Sequence, residues 1–193
     1  SQSKYLSRKL LIYYFLVFCG AILNLSFGYK ACFAIRDLPS PFPLLPRPRH
    51  IELLEGKGIE PGGLNVLTFH GNLKRPVMGD LLSGLTEGST GKGVLTLKLD
   101  SIGATPQSEE GYQLIISDGN AEIISRGEAG IFYGCQTLEQ LLEDARDFNV
   151  PVPACKITDY PALDYRAVHF DVKHHLDHMN YYYESIDRLG RYP

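Results

Sequence analysis

Residues 110–142 read EGYQLIISDGNAEIISRGEAGIFYGCQTLEQLL and combine a strand pattern with a helix pattern. Its first half contains two short segments, Tyr112–Ser117 and Ala121–Arg126, with the alternating character of half-buried strands. The residues between them, Asp118-Gly119-Asn120, are typical of a tight turn, because glycine adopts positive φ without steric cost. We therefore predict a β-hairpin.

The second half of the stretch has the spacing of an amphipathic helix over Glu128–Ala145. Its apolar side chains form one stripe, namely Ile131, Cys135, Leu138 and Leu142, with Leu141 and Ala145 beside it. Gly130 and Gly134 lie four residues apart although glycine is unfavourable inside a helix. We expect the bare face that they leave to let another backbone approach closely.

Further strand patterns lie upstream of the hairpin, at His50–Leu54, Leu64–His70 and Val94–Asp100. The Pro-rich run Leu38–Pro48 predicts an extended lead-in, which we place at residues 29–43. Downstream, Pro151–Tyr160 is extended. Tyr165–Val172 then alternates like a strand, and Met179–Leu189 has helical spacing, so the two predict one βα unit.

The composition is that of a globular protein with one domain and a remainder. The chain has 193 residues, of which 44% are hydrophobic and 21% charged. Its 19 Lys and Arg residues and 22 Asp and Glu residues give a net charge of −3. That balance supplies no basic surface for nucleic acid, so we predict no nucleic-acid partner.

The N-terminal residues have the order of an export signal. Basic residues between Lys4 and Lys9 precede the apolar run Leu10–Leu23, and Ser26-Phe27-Gly28 follows with small residues. The run is shorter than the roughly 20 apolar residues of a comfortable membrane span. We predict a signal peptide over residues 1–28, either cleaved or kept as an anchor, with a buried core helix as the third alternative. The protein would be exported to the periplasm, the cell surface or the medium, and would touch a membrane only through this segment if it is uncleaved.

Cys135 and Cys155 are the cysteines of the body, since Cys19 and Cys32 lie in or beside the leader. Export would permit a disulfide between them. The alternative is that both are small buried core residues. No C-x-x-C motif occurs, which excludes a zinc ribbon and a thioredoxin-like site.

Three stretches carry a family resemblance. They are EGYQLIIS (110–117), AEIISRGEAGIFYGCQTLEQLL (121–142) and ITDYPALDYRAVHFDVKHHLDHMNYYYESIDRL (157–189). In this order they resemble glycoside hydrolase family 20, the β-N-acetylhexosaminidases, from roughly Leu44 to the end of the chain. The ordered pairing of GxFYGxQTLxQLL with IxDYPxxxYR is too long for a chance match.

The resemblance implies an α/β fold in two parts. An α+β accessory domain, a zincin-like sheet with packed helices, would span residues 44–160. The start of a catalytic (β/α)8 TIM barrel would follow over residues 161–193. We expect that barrel to be truncated, because a lone βα unit cannot cover its own apolar face. "Zincin-like" describes the fold alone, since the chain contains no HExxH motif.

The chemistry that the resemblance implies is removal of terminal β-linked N-acetylhexosamine with retention. The acetamido oxygen of the sugar attacks its own anomeric carbon, an Asp steadies the acetamido N–H, and an adjacent Glu protonates the leaving oxygen. That Asp-Glu pair belongs to a later barrel strand, so the resemblance places no catalytic residue in this chain and implies an inactive fragment. The partner would be a glycan or oligosaccharide, and no cofactor is implied.

Arg166 is the family site residue present in this chain, and the resemblance implies that it hydrogen-bonds hydroxyls of the terminal sugar. A rigid guanidinium fork suits vicinal hydroxyls. The alternative is a structural pair with Asp164 or Asp171. The family's usual Arg-Gly, Leu-Asp and Arg-His pairs read Arg166-Ala167, Phe170-Asp171 and Lys173-His174 here, as in a divergent branch.

Histidines cluster at the end of the predicted barrel strand. His169, His174 and His175, with Asp171, are candidates to line the pocket, because the carboxyl ends of barrel strands carry the active site. Structural histidines are the alternative. His174 and His178 have a spacing that could chelate a metal on a helix, but their context favours a loop, and we predict no metal site.

Two other functions stay open. One is another barrel glycosidase with the same accessory domain, such as an α-glucuronidase or an endo-acting hexosaminidase relative. The other is a non-catalytic exported domain that binds a glycan or a protein partner. The segment around Arg166 favours the exo-acting hexosaminidase, because it extends the resemblance into the barrel.

Overall fold

The computed structural model describes residues 37–71, 85–86, 90–100, 106–173 and 177–191. These belong to one compact unit, residues 37–193. The predicted signal segment 1–28, with Cys19 and the nearby Cys32, lies outside the described residues.

A mixed sheet with a helix packed on one face organises the described residues, which agrees with the predicted α/β class. In chain order the elements are β1 (His50–Leu53), β2 (Leu64–His70), β3 (Gly93–Leu99), β4 (Tyr112–Ser117), β5 (Asn120–Ser125), α1 (Glu128–Phe148), β6 (Cys155–Asp159) and α2 (Met179–Arg191). The strand order across the sheet is β1-β6-β4-β5-β3-β2. The pairs β2–β3 and β3–β5 are parallel, whereas β1–β6, β4–β5 and β4–β6 are antiparallel.

The predicted hairpin is confirmed, with a tighter turn than the sequence indicated. Ser117 pairs with Asn120, so the turn itself consists of Asp118 and Gly119. Both turn residues have positive φ, 50° and 77° respectively, as a two-residue type I′ turn requires. Asn120 therefore belongs to β5, and its side-chain oxygen accepts a 2.8 Å hydrogen bond from the amide of Val94.

Helix α1 packs its predicted apolar stripe on β3, β4 and β5. All six predicted stripe residues are buried, and they face inward strand residues such as Leu95, Leu114 and Ile123. Burial of this many aliphatic side chains, each stabilising by roughly 1.5–3 kcal/mol, supplies the main driving force for the fold.

The close backbone approach expected at the two helical glycines is also confirmed. A Cβ at Gly130 would collide with the carbonyl oxygen of Gly111 and with the Ser125 hydroxyl. A Cβ at Gly134 would lie 2.6 Å from a methyl group of Ile123. The helix therefore contacts the sheet at its own backbone, at positions where any side chain would hold the two apart.

Cys135 and Cys155 are free and buried, so the structure contains the core alternative and not the disulfide. Cys135 lies on the inner face of α1 and Cys155 begins β6. Burial raises the pKa of both thiols, to about 12 for Cys155, because the apolar interior disfavours a thiolate.

The segment after β6 departs from prediction in one respect. The helix expected over Met179–Leu189 forms as α2, but residues 165–172 form no strand. A strand needs a neighbour to accept and donate its ladder hydrogen bonds, and no other strand of the described residues lies beside this segment. Its apolar side chains are consequently exposed: 83% of Tyr165, 56% of Val168 and 58% of Ile186 in α2.

Candidate functional site

The candidate site is built around Arg166, the sugar-binding residue that the sequence resemblance implied. One guanidinium nitrogen, Nη1, donates a 2.8 Å hydrogen bond to the carbonyl oxygen of Leu163. The other, Nη2, lies 2.5 Å from the Glu110 carboxylate and 3.5 Å from the Tyr133 hydroxyl. The hydrogen bond to Glu110 raises the pKa of Arg166 further above its ordinary value.

This arrangement matches neither structural pair that the sequence suggested, because the ion-pair partner of Arg166 is Glu110 rather than Asp164 or Asp171. Glu110 and Tyr133 were not singled out as site residues from the sequence. Glu110 stands 56 positions from Arg166, and no short-range pattern links residues that far apart. Their only signal was that both fall inside the stretches that carry the family resemblance.

The site brings together three parts of the chain. Glu110 precedes β4, Tyr133 lies in the second turn of α1, and Arg166 follows β6. The ring of Tyr133 lies 6.0 Å from the guanidinium carbon of Arg166, at the outer range of a cation–π contact. Sheet, helix and C-terminal segment therefore meet at one guanidinium group.

Two clefts share the residues Glu110, Tyr133 and Arg166 as a common wall. The first has a volume of about 350 Å³ and continues past Tyr160 and Pro161. The second, of about 480 Å³, is lined in addition by Asp164, Tyr165, Ala167, Val168 and Leu189. Both have the size of small-molecule sites.

Arg49 also lines the first cleft and contacts Tyr160 and Asp159 there. Its guanidinium carbon lies 4.2 Å from the centroid of the Tyr160 ring, and its Nε donates to the Tyr160 carbonyl at 2.9 Å. Its backbone amide donates to Asp159 at 3.1 Å. Burial raises the pKa of Asp159 above its ordinary value, although the hydrogen bond from Arg49 opposes the rise.

The structure describes two of the four residues that the sequence predicted to line the pocket. His169 and Asp171 are both exposed, and Asp171 accepts a 2.9 Å hydrogen bond from the backbone amide of Lys173. Neither residue lines the two clefts around Arg166. His174 and His175 lie outside the described residues. Within the described ranges, no group of three or more His, Cys, Asp or Glu side chains is placed to hold a metal ion.

Comparison with protein families identifies the part of the chain that precedes Arg166. The model of "Glycosyl hydrolase family 20, domain 2" matches residues 42–160. Among curated proteins, the chain is 36% identical over 95 residues to a beta-hexosaminidase of Porphyromonas gingivalis. That match covers 46% of this chain and 12% of the relative.

Two solved structures of a Streptomyces plicatus hexosaminidase resemble the chain in fold. One, in complex with Thio-NAglucal, has a TM-score of 0.61 at 25% identity and matches 81% of this chain. The other is a mutant in complex with the product GlcNAc, with a TM-score of 0.62 at 24% identity over 81% of this chain. The chain spans 34% of each of those structures, so it corresponds to about a third of their length.

Proposed function

The chain belongs to glycosyl hydrolase family 20, through that family's domain 2 at residues 42–160, and from this premise we propose that its full-length protein removes terminal β-linked N-acetylhexosamine from glycans. Full-length protein here means the product of the whole open reading frame that encodes this chain. The family match over more than half of the chain carries the proposal. The matched relatives are named as hexosaminidases, which favours this activity over an α-glucuronidase or a non-catalytic glycan-binding domain.

The reaction that we propose is substrate-assisted hydrolysis with retention. The sugar's acetamido oxygen acts as the nucleophile, and an Asp-Glu pair orients the acetamido group and protonates the leaving oxygen. We place that pair in the part of the full-length protein outside these 193 residues. The contribution of this chain is then to bind and orient the sugar, and hydrolysis requires the rest of the protein.

Arg166 is the residue of this chain that we assign to sugar binding. It forms the wall between two clefts large enough for a small sugar. Its guanidinium is planar, permanently charged and fixed by three contacts, so it can present donors to two neighbouring hydroxyls in one orientation. The partly exposed side chain, at 33%, keeps access to a ligand.

We propose that residues 161–191 begin the catalytic barrel. The support is their exposed apolar surface, which includes Leu163, Tyr165, Val168, Ile186 and Leu189. A parallel barrel strand and its helix are buried between neighbouring βα units, so such a surface is expected on the first unit before its neighbours are added. The extended segment 165–172 would then gain the ladder partners that it lacks here.

We further propose export through residues 1–28, on the order of basic, apolar and small residues in that segment. An exported hexosaminidase would meet oligosaccharides or cell-wall glycans outside the cytoplasm. Among the residues that the structure describes, no helix is both long and apolar enough to cross a membrane.

The test is an assay of the full-length protein with a chromogenic aryl N-acetyl-β-hexosaminide. The control substrate is an aryl α-glucuronide. We expect turnover of the first substrate and none of the second. Turnover of the α-glucuronide alone would contradict the proposed activity and favour that of an α-glucuronidase-like relative. Failure to hydrolyse either substrate would contradict an exo-glycosidase.

A further inference from the structure

Glu110 lies in a turn, and the residues on either side of it are hydrogen-bonded to the rest of the domain. The carbonyl oxygen of the preceding residue, Glu109, accepts a 3.1 Å hydrogen bond from the amide of Gly130 in α1. The carbonyl oxygen of the following residue, Gly111, accepts a 2.6 Å bond from the buried Ser125 hydroxyl. The carboxylate of Glu110 is therefore carried by the packed sheet and helix, although its own side chain is partly exposed.

Among the residues that the structure describes, the backbone of Arg166 has no such support. It lies in the segment without a strand, and its backbone takes no part in the described sheet. An arginine side chain has many rotamers, and an unsupported one samples several of them. The orientation of this guanidinium is therefore set mainly by what its nitrogens contact.

Those contacts leave two N–H donors of the group available. Glu110 and Tyr133 both contact Nη2, and the Leu163 carbonyl accepts from Nη1. A guanidinium has five N–H donors. The three hydrogen bonds that Arg166 makes within the described residues use one N–H of Nη1 and both of Nη2, so the second N–H of Nη1 and the N–H of Nε are left for other acceptors.

We propose that Glu110 is the positioning residue for Arg166, orienting its guanidinium toward the hydroxyls of the terminal sugar. This inference rests on the proposed function, since it assumes that Arg166 contacts the sugar. Glu110 itself does not touch the reacting atoms. It fixes, from the accessory domain, a binding group that belongs to the start of the barrel, so the accessory domain contributes to sugar recognition through Arg166.

A purely structural ion pair is the competing explanation, and the exposure of the two side chains argues against its importance. The side chain of Glu110 is 36% exposed and that of Arg166 is 33% exposed. Solvent screens a pair at this depth, so its contribution to folding stability is small. Its orienting effect on a bound sugar is not reduced in the same way, because small misplacements of a binding group lower rates strongly.

The experiment compares Glu110→Gln with the matched control Glu109→Gln in the full-length protein. Both changes remove one negative charge from the same turn, but Glu109 makes no described contact with Arg166. Each variant is assayed on two aryl N-acetylhexosaminides, one complete and one lacking a single ring hydroxyl of the vicinal pair. The same two changes are made in an Arg166→Ala background, and GlcNAc binding is measured by calorimetry.

We expect Glu110→Gln to lower kcat/KM on the complete substrate by about 10-fold and Glu109→Gln to leave it within about 2-fold. The loss should shrink on the deoxy substrate and vanish in the Arg166→Ala background, because the two residues act through one contact. Weaker GlcNAc binding by Glu110→Gln, with unchanged thermal unfolding, would support the same conclusion.

Equal losses on both substrates, or additive losses with Arg166→Ala, would overturn the positioning role and leave hexosaminidase activity standing. Unchanged kinetics of Glu110→Gln would do the same. A wild-type protein that neither hydrolyses the complete substrate nor binds GlcNAc would instead overturn the proposed function, and the positioning role with it. Glu110→Asp, which keeps the charge, provides a second variant if the amide variant fails to fold.

Discussion

The hydroxyl of Tyr112 lies 2.6 Å from the hydroxyl of Thr137, and both side chains are buried between β4 and α1. Either group can donate to the other, so each satisfies a polar atom that the apolar interior would otherwise leave without a partner. Burial raises the pKa of Tyr112 well above its ordinary value, which keeps the phenol neutral. The bond ties the first residue of a central strand to the middle of the helix.

Removing one member of this pair is expected to destabilise the domain. Tyr112→Phe leaves the Thr137 hydroxyl buried without this partner, which costs about 1–3 kcal/mol. The double variant Tyr112→Phe, Thr137→Val should lose less than the sum of the single changes. Urea unfolding followed by circular dichroism measures both, with the exposed Tyr183→Phe as control. Additive losses would show that the two hydroxyls do not stabilise each other.

Gly130→Ala tests the close contact between α1 and the turn before β4. Alanine is the better helix former by about 1 kcal/mol, yet its methyl group would collide with the Gly111 carbonyl. We expect a net loss of about 1–3 kcal/mol from the forced separation. Gly190→Ala in α2 is the matched control, because nothing lies within 4 Å of its added Cβ. An increased melting temperature for Gly130→Ala would contradict the contact.

The buried thiols predict a loss of stability at alkaline pH. Cys155 has a pKa of about 12 in the folded state and an ordinary value of 9.0, so above pH 9 the unfolded chain releases a proton that the folded chain retains. The contribution of Cys155 to stability is therefore fully present below pH 9 and is lost as the pH rises toward 12. Cys155→Ala should flatten this dependence in urea titrations at several pH values. An unchanged slope in the variant would place its cause elsewhere.

Arg166→Ala in the full-length protein should weaken both substrate and transition-state binding. Loss of a charged donor to the sugar hydroxyls corresponds to roughly 1.5–3 kcal/mol. Arg166→Lys keeps the charge but not the fork, so we expect only partial recovery. Kinetics on an aryl N-acetylglucosaminide provide the measurement. A folded Arg166→Ala variant with unchanged kcat/KM would assign the residue to structure alone.

The isolated chain of 193 residues is expected to hydrolyse no glycoside, because we place the Asp-Glu pair outside it. A chromogenic N-acetylhexosaminide tested beside a buffer blank decides this, and turnover above the blank would contradict the assignment.

Limited proteolysis tests the segment after β6 in the same chain. Residues 165–173 are largely exposed and form no strand, so trypsin should cut after Lys173 before it cuts the sheet. We expect a resistant core that ends at Arg166 or Lys173, because the next tryptic site upstream, Lys156, lies within β6. Equal protection of the segment and the sheet, with the chain monomeric by light scattering, would mean that the exposed apolar residues are covered within the chain.

Local pattern was sufficient for the elements that depend on near neighbours. The turn at Asp118-Gly119 and the apolar stripe of α1 were predictable because their physical cause lies within a few residues of sequence. The close contact at the two helical glycines was predictable for the same reason. Glycine is unfavourable inside a helix, so its presence indicates a neighbour that leaves no room for a side chain. The ordered motifs also determined the family, which the match over residues 42–160 confirms.

Which distant residues meet depends on the folded arrangement of the strands. The sheet order places β6 between β1 and β4, and this brings Tyr160 and the following segment beside the turn that carries Glu110. Alternation in Tyr165–Val172 predicted a strand, but a strand exists only where a neighbour completes its hydrogen bonds, and sequence periodicity says nothing of that neighbour. The ion-pair partner of Arg166 could not be predicted from the sequence either. An ion pair depends on the separation of two groups in space and not on their distance along the chain.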